Sequence, residues 1–332
     1  MSARDLFRPG VHRALAPAKI NLGLFLGPIR AADAKHELAS VMQSISLADE
    51  LTLELADEDA DGQPDEVICP GVPGDVENLA AVALRAFRAR TGWQAPPLRL
   101  TIAKRIPVAA GLGGGSADAA AALRLATHAS GLGDQRLLLE IGAQLGADVP
   151  AQIVPGRWLA GGAGEHLDEL PLPSSSFGVL VLPSDAELST AAVYGEADRL
   201  GFGRSAHELA ELHSQLHSAF AHGAPLPAAS ELLHNDLQRA AVSLCPPIAQ
   251  ALVGVRQVGG DPALVSGSGP TVLGLFGHTG RSVDGGLTLA RAAASRLSDR
   301  SPAPICAMPV DATFAQAATD TPVRHNSSHS HD

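Results

Sequence analysis

Apolar positions along the chain switch repeatedly between two spacings. Residues 11–26 (VHRALAPAKINLGLFL) alternate and then run apolar, which predicts an opening strand broken at Pro17. Residues 41–55 predict strands with a polar break at Asp49-Glu50, and a short strand is expected at 66–69 inside an acidic surface excursion spanning 56–74. Leu79, Val82, Ala83, Ala86 and Phe87 recur at helical spacing, so 77–90 is expected to form a helix with one buried face. A strand follows over 97–104, then helices over 117–126 and 135–145, the last stopping at Gly146. Beyond Pro155 glycine and proline accumulate (Gly156, Gly161, Gly162, Gly164, Pro171, Pro173), which places a domain boundary there. The second half reads as a strand at 177–182, a helix starting at 189–194, an amphipathic helix at 207–218, helices after Asp236 and over 246–258, and a strand, glycine turn and strand over 263–276. The pattern by itself gives mixed α and β in two domains, 1–160 and 161–310, with 311–332 a disordered tail rich in Ser, Thr, Asn and His.

One stretch stands apart from this periodicity. Residues 107–125 (PVAAGLGGGSADAAAALRL) carry four glycines among five positions, Gly111 and Gly113 to Gly115, feeding directly into an alanine-rich helix. Such glycines are expected to take positive φ and to let a ligand approach the backbone, with Ser116 placed where a helix cap belongs. The amides and positive dipole end of the helix then face the turn, which makes an anion site, most often for polyphosphate. Two familiar phosphate loops are excluded by spacing. No Gly-Lys-Ser/Thr follows Gly115, as a Walker loop needs, and the Rossmann pattern lacks its last glycine and its acidic partner.

Composition narrows the classes further. The 332 residues are 45% hydrophobic, enough for a sizeable core, and no run of about 18 apolar residues suggests a membrane span. The N-terminal stretch is broken by charges and prolines, so a cytoplasmic protein without membrane association is expected. A net charge of −11 with no basic cluster argues against nucleic acid. Cys69, Cys245 and Cys306 read as reduced structural thiols. Of 24 basic residues only Lys19, Lys35 and Lys104 are lysines, which marks each for inspection. Taken singly, Lys19 between Ala18 and Ile20 reads as an edge-strand charge, Lys104-Arg105 as a solvated pair ending a strand, and Asp148 as a carboxylate satisfying turn amides. Tyr194, the single tyrosine, reads as half-buried packing, and the i, i+4 pair His213 and His217 as an ordinary surface helix with no patterned third metal ligand.

The glycine stretch, Pro-x-x-x-Gly-Leu-Gly-Gly-Gly-Ser-x-Asp-Ala-Ala, resembles the ATP-binding loop of the GHMP kinases. Ala16-Pro-Ala-Lys-Ile-Asn-Leu22 and Val265-Ser-Gly-Ser-Gly-Pro-Thr-Val272 are similar to the family's first and third motifs, in the right order. His36-Glu-Leu, Ser46-Leu-Ala-Asp49, Gly146-Ala-Asp-Val-Pro150 and His234-Asn-Asp-Leu237 point to the branch acting on 4-diphosphocytidyl-2-C-methyl-D-erythritol, and the similarity spans residues 12–310. The resemblance implies an α+β, two-domain architecture, with an N-terminal domain like the second domain of ribosomal protein S5 and a ferredoxin-like C-terminal domain. It implies an ATP- and Mg²⁺-dependent kinase acting on the 2-hydroxyl of that small molecule, in non-mevalonate isoprenoid biosynthesis, as a monomer or homodimer.

By the same resemblance Asp148 takes the proton and Lys19 orients Asp148 and the hydroxyl. ATP is expected on Lys104, Pro107, Val108, Ala109, Ala110, Gly111, Leu112, Gly113, Gly114, Gly115, Ser116 and Ala117, with Ser116 a Mg²⁺ contact. Asn21, Lys35, His36, Thr190 and Tyr194 are expected at the acceptor, Tyr194 stacking on its cytosine. The family's Asp-Gly-Tyr-His segment is here Asp33-Ala34-Lys35-His36, so a turn glycine and a stacking aromatic are replaced, and Lys35 is expected to lie along the base and reach the diphosphate. Homoserine or mevalonate kinase activity, or a nucleotide-binding module without catalysis, are the alternatives.

Overall fold

Two long strands, β1 (Val11–Ile29) and β2 (His36–Leu55), pair antiparallel from His12↔Leu53 to Ile29↔His36 and carry the first half of the chain. The computed structural model describes residues 7–57, 63–72, 77–227, 229–277 and 284–320. Three register shifts, the first at Pro17/Ala18, bend the ribbon. The free edge of β2 is shared. Its C-terminal part pairs with β4 (Leu98–Ala103), and its N-terminal part with β5 (Arg157–Gly161), which forms a hairpin with β6 (His166–Leu170). Beside β4 lies β3 (Glu66–Ile68), parallel to it, and beside the start of β1 lies β11 (Ala318–Asp320), antiparallel. From Ala16 to Gly27 every residue of β1 is buried, because helices pack on the ribbon and leave no wet face.

The helices of the first half are α1 (Leu79–Thr91), α2 (Gly114–Ser130), α3 (Gln135–Leu145) and α4 (Val149–Ile153). Alanine makes α2 the central one. Ala117, Ala119 to Ala122, Ala126 and Ala129 are all buried, and their small side chains let β1, β2, α1 and α4 close on the helix from several sides. The second sheet contains β7 (Gly178–Leu182), β8 (Ala263–Val265), β9 (Val272–Phe276) and β10 (Ile305–Ala307), in the order β10-β7-β9-β8, all antiparallel. Between β7 and β8 run α5 (Thr190–Arg199), α6 (Ala206–Phe220), α7 (Gln238–Leu244) and α8 (Pro247–Gln257), and α9 (Gly285–Ser295) precedes β10. Strand-helix-strand-strand-helix-strand with this order is the ferredoxin-like arrangement. Among the described residues no helix is long and apolar enough to cross a membrane.

Four expectations change. Asp49 does not break β2, which runs through it; its carboxylate is fully buried and accepts the backbone N–H groups of Arg105 and Ile106. The glycines at 161–164 are the turn of the β5–β6 hairpin rather than a linker, so the first sheet extends to Leu170 and the crossing to the second falls between Leu170 and Gly178. The helix α6 also packs back on β1, β2 and β5, although its residues lie beyond that crossing. Of the expected tail, 311–320 is ordered: Ala315 is buried and β11 pairs with Val11 to Arg13, while 321–332 lie outside the described residues.

Candidate functional site

The chain leaves β4 and enters α2 through two left-handed glycines, Gly111 (φ 73°) and Gly113 (φ 70°), the second being the N-cap of α2. Ser116 therefore lies in the first turn and not at the cap, and Gly114 and Gly115 already belong to the helix. The first bond back within the helix runs from Ala117 N–H to Gly113 O, so the amides of Gly114, Gly115 and Ser116 have no acceptor of their own in it. With glycine at the cap, no side chain covers them. Close packing explains the glycines: a Cβ on Gly111 would stand 2.2 Å from Ser266 O, and one on Gly113 2.9 Å from Lys19 Cγ. Ser266 Oγ donates to Gly111 O (3.0 Å), and Asn235 Nδ2 donates to Val265 O (2.8 Å) and Gly267 O (2.7 Å), so the 266–269 turn is strapped to the first glycine turn.

A cavity of about 690 Å³ opens in front of the N-terminus of α2. Lys104 and all positions from Pro107 to Ser116 line it, and Ala117 is buried behind them. Lys19, Asn21, Asp148, Thr190 and Tyr194 line the same cavity. Lys19 is not a solvated edge charge. Its N–H donates to Leu112 O (3.0 Å), so the glycine turn itself covers that edge of β1, and only 8% of the residue is exposed. Lys19 Nζ donates to Asn21 Oδ1 (2.9 Å) and lies 3.5 Å from Asp148 Oδ2, and Asn21 is fixed in turn by donating to Ser40 Oγ (2.8 Å). Asp148 stands at the start of α4. The strand period and the turn thus bring an ammonium and a carboxylate together beside the free amides of α2.

Lys104 reaches the cavity already paired. Its Nζ donates to Asp49 and, at 2.7 Å, to Asp118 Oδ2. Burial opposes its charge, but the two carboxylates outweigh that and hold its pKa above the ordinary lysine value. Burial pushes Asp118 up to about 7, against the pull of Lys104 and with the help of neighbouring Asp49. Burial first and then the charge of Asp148 raise the Tyr194 phenol to about 12, so it stays a neutral donor. Thr190 Oγ1 lies 3.1 Å from Ser268 Oγ. The His36 ring is 5.6 Å from that of Tyr194, yet His36 and Lys35 are not on the cavity wall. Lys35 is exposed, because Arg30 pairs with Asp33 and Glu165 and draws the 30–35 turn toward the β5–β6 hairpin. Sequence reasoning passed over Asp49, Asp118 and Asn235, although all three sit inside quoted motifs.

Residues 78–156 match the GHMP kinases N terminal domain, and residues 208–294 match GHMP kinases C terminal. The chain belongs to the GHMP kinase family. It is 43% identical over 282 residues to the 4-diphosphocytidyl-2-C-methyl-D-erythritol kinase of Streptomyces avermitilis, a match covering 83% of this chain and 90% of that protein. With the enzyme of the same name from Anaeromyxobacter sp. the identity is 39% over 282 residues, covering 83% of each. Among solved structures, a 4-(cytidine 5'-diphospho)-2C-methyl-D-erythritol kinase gives a TM-score of 0.68 at 30% identity, covering 90% of this chain and 99% of that one. A homoserine kinase from Cytophaga hutchinsonii gives 0.67 at 16% identity, covering 93% and 98%, a likeness of fold alone.

Proposed function

We propose that the chain transfers the γ-phosphoryl group of ATP to the 2-hydroxyl of 4-diphosphocytidyl-2-C-methyl-D-erythritol, a step of non-mevalonate isoprenoid biosynthesis. The observation that carries this is the Lys19–Asp148 pair, 3.5 Å apart, opposite the uncapped start of α2. Asp148 takes the proton of the acceptor hydroxyl as its oxygen bonds to phosphorus. The bond from phosphorus to the bridging oxygen breaks, and ADP leaves with the electron pair. Lys19, fixed by Asn21, holds the Asp148 oxygen in place and steadies the developing alkoxide. The amides of Gly114, Gly115 and Ser116 receive the polyphosphate, whose charge they meet without desolvating a counter-cation. Tyr194 and Thr190 hold the cytidyl end.

Among the described residues no group of three or more His, Cys, Asp or Glu is placed to hold a metal ion by protein ligands alone. Mg²⁺ binds through substrate phosphates and one or two protein oxygens. The Ser116 hydroxyl, in the cavity wall on the first turn of α2, is the group that would hold it. When bound, Mg²⁺ neutralises charge on the transferring phosphoryl group. The test is ATP-dependent phosphorylation of the cytidyl substrate, mevalonate and homoserine side by side. Turnover of the first alone is expected; turnover of another acceptor in its place would replace this reading, and none with any acceptor would leave a nucleotide-binding module.

A further inference from the structure

The proposed chemistry leaves one nucleophile on the cavity wall without a task. Cys69, just past β3, lines the cavity together with Asn78, Lys104 and Asp118. Cys245 is buried in the core of the second sheet, Cys306 packs against that core, and neither lines the cavity. Beside the thiol, Asp118 gives Oδ2 to Lys104 (2.7 Å), while its Oδ1, on a residue 3% exposed, has no hydrogen-bond partner. An unpaired buried acceptor is costly, so one left on a cavity wall marks that wall for an occupant. The glycine turn is close by, since a Cβ on Gly114 would lie 3.4 Å from Lys104 Nζ. Burial first, and then the charge of Asp118, hold the thiol above its ordinary pKa, although Lys104 opposes them, so near pH 7 it rests as the neutral thiol. Such a thiol is slow toward oxidants at large and reacts with a reagent that the cavity holds next to it.

We infer that Cys69 is a modification site for disulfides small enough to enter the cavity, and that a mixed disulfide there closes the cavity to the nucleotide. The inference rests on the nucleotide site proposed above. The Cys69 sulfur attacks one sulfur of the reagent, whose S–S bond breaks as the new S–S bond forms. Cys69 is oxidised; the leaving sulfur is reduced and departs as a thiolate with the electron pair, while the thiol proton passes to water. Nucleotide and modifier exclude each other, because either one, once in place, covers the wall that the other must reach. A thiol reductant runs the exchange backwards and reopens the cavity.

The probe is dithio-bis-nitrobenzoate, with its leaving thiolate read by absorbance, the modified residue by peptide mass spectrometry and ADP binding by calorimetry. Modification of Cys69 is expected to raise the Kd for ADP by on the order of tenfold or more, and saturating ADP to slow the labelling of Cys69 by a similar factor. The smaller methylthio cap left by methyl methanethiosulfonate should raise the Kd less. Dithiothreitol should restore the starting Kd, which distinguishes a blocked cavity from a damaged fold. Cys69→Ser, compared with its own untreated sample, is expected to keep its ADP Kd under the same treatment. Labelling of Cys69 that leaves ADP binding unchanged, equal labelling rates with and without ADP, an equal loss in treated Cys69→Ser, or a wild type that binds no ADP would overturn the inference. A wild type that binds ADP but phosphorylates no acceptor would instead remove the kinase reading and leave this one standing.

Discussion

Asp148 has a single described cation, Lys19, and no role in holding the glycine turn, which separates the chemistry from nucleotide binding at one residue. Asp148→Asn removes the proton acceptor and is expected to lower turnover by on the order of a hundredfold or more, with ATP affinity by calorimetry little changed. Near wild-type turnover at saturating substrate would take Asp148 out of this role. Gly114→Val should behave in the opposite way. A Cβ there would lie 3.1 Å from Ile106 Cγ2 and 3.4 Å from Lys104 Nζ, so a branched side chain pushes Lys104 out of place. Overpacking of ~1–3 kcal/mol, borne by the nucleotide site, predicts an ATP Kd raised by about fivefold to on the order of a hundredfold, read by equilibrium titration. At Ala34 the chain keeps a left-handed turn (φ 56°) where glycine would be unstrained. Ala34→Gly is expected to stabilise the fold by up to about 1 kcal/mol, seen as a higher denaturant midpoint with an unchanged slope.

These residues also show what the sequence could carry. Lys19 and Asp148 were singled out by the family resemblance alone, since by themselves they read as an edge-strand charge and a turn carboxylate, and the strand period added only that Asn21 shares a face with Lys19. Gly111 and Gly113 were legible as positive-φ glycines, whereas Gly114 and Gly115 were not distinguishable from them until the helix start was located. The pairing of Lys104 with Asp49 and Asp118 joins positions 55 and 14 residues away, and no local pattern encodes it. For the same reason an aspartate in mid-strand looked like an interruption.

Among the elements, β11 is the least expected, three residues paired with the edge of β1 and joined to it by side chains as well. His12 Nε2–H donates to Arg8 O (2.8 Å), which leaves Nδ1 to accept from the Thr319 hydroxyl (3.0 Å). The same hydroxyl then accepts from His128 Nε2–H (2.9 Å). Burial, above all, lowers the pKa of both histidines; the bond to the Arg8 carbonyl opposes this in His12, and the charge of Arg8 adds to it in His128. A lowered histidine pKa means the unfolded chain binds the proton first, so the chain of bonds supports the fold fully above about pH 6.5 and less as pH falls below it. Protonated Nδ1 cannot accept from Thr319. Hydrogen-exchange protection at 318–320 is therefore expected to fall as the pH is lowered from about 6.5, after correction for intrinsic rates. Protection that stays flat as the pH is lowered would show that the ladder alone holds the strand.

At the scale of the whole molecule, the two sheets are not consecutive beads. The chain completes the first sheet with the β5–β6 hairpin and builds the second around β7. It then returns, with Ser46 N–H donating to Met308 O and Val310 N–H to Ser44 O between the portions of β2 paired to β4 and β5. Glycine and proline density marked the region of the crossing but not which sheet each strand joins, since that depends on partners far along the chain. The cavity is walled by β1, β2 and β5 of the first sheet and, from the second half of the chain, by α5 and the 267–269 turn between β8 and β9.

The return has a consequence for how the protein is made. His12 and Thr319 are 307 residues apart in sequence, yet one accepts the other's hydroxyl. A ribosome releases the N-terminal strand long before the residues that cover its outer edge, and growing chains emerge at ≈ 5–20 residues per second. For tens of seconds the start of β1 thus waits with unpaired backbone groups, the kind of edge that recruits strands from other chains. The residues at that edge include Arg13, which later pairs with Glu50 and Asp320, and a charge at an open edge disfavours such recruitment. The same arginine would then serve twice: as a guard while the nascent chain is incomplete, and as a clasp once it is finished.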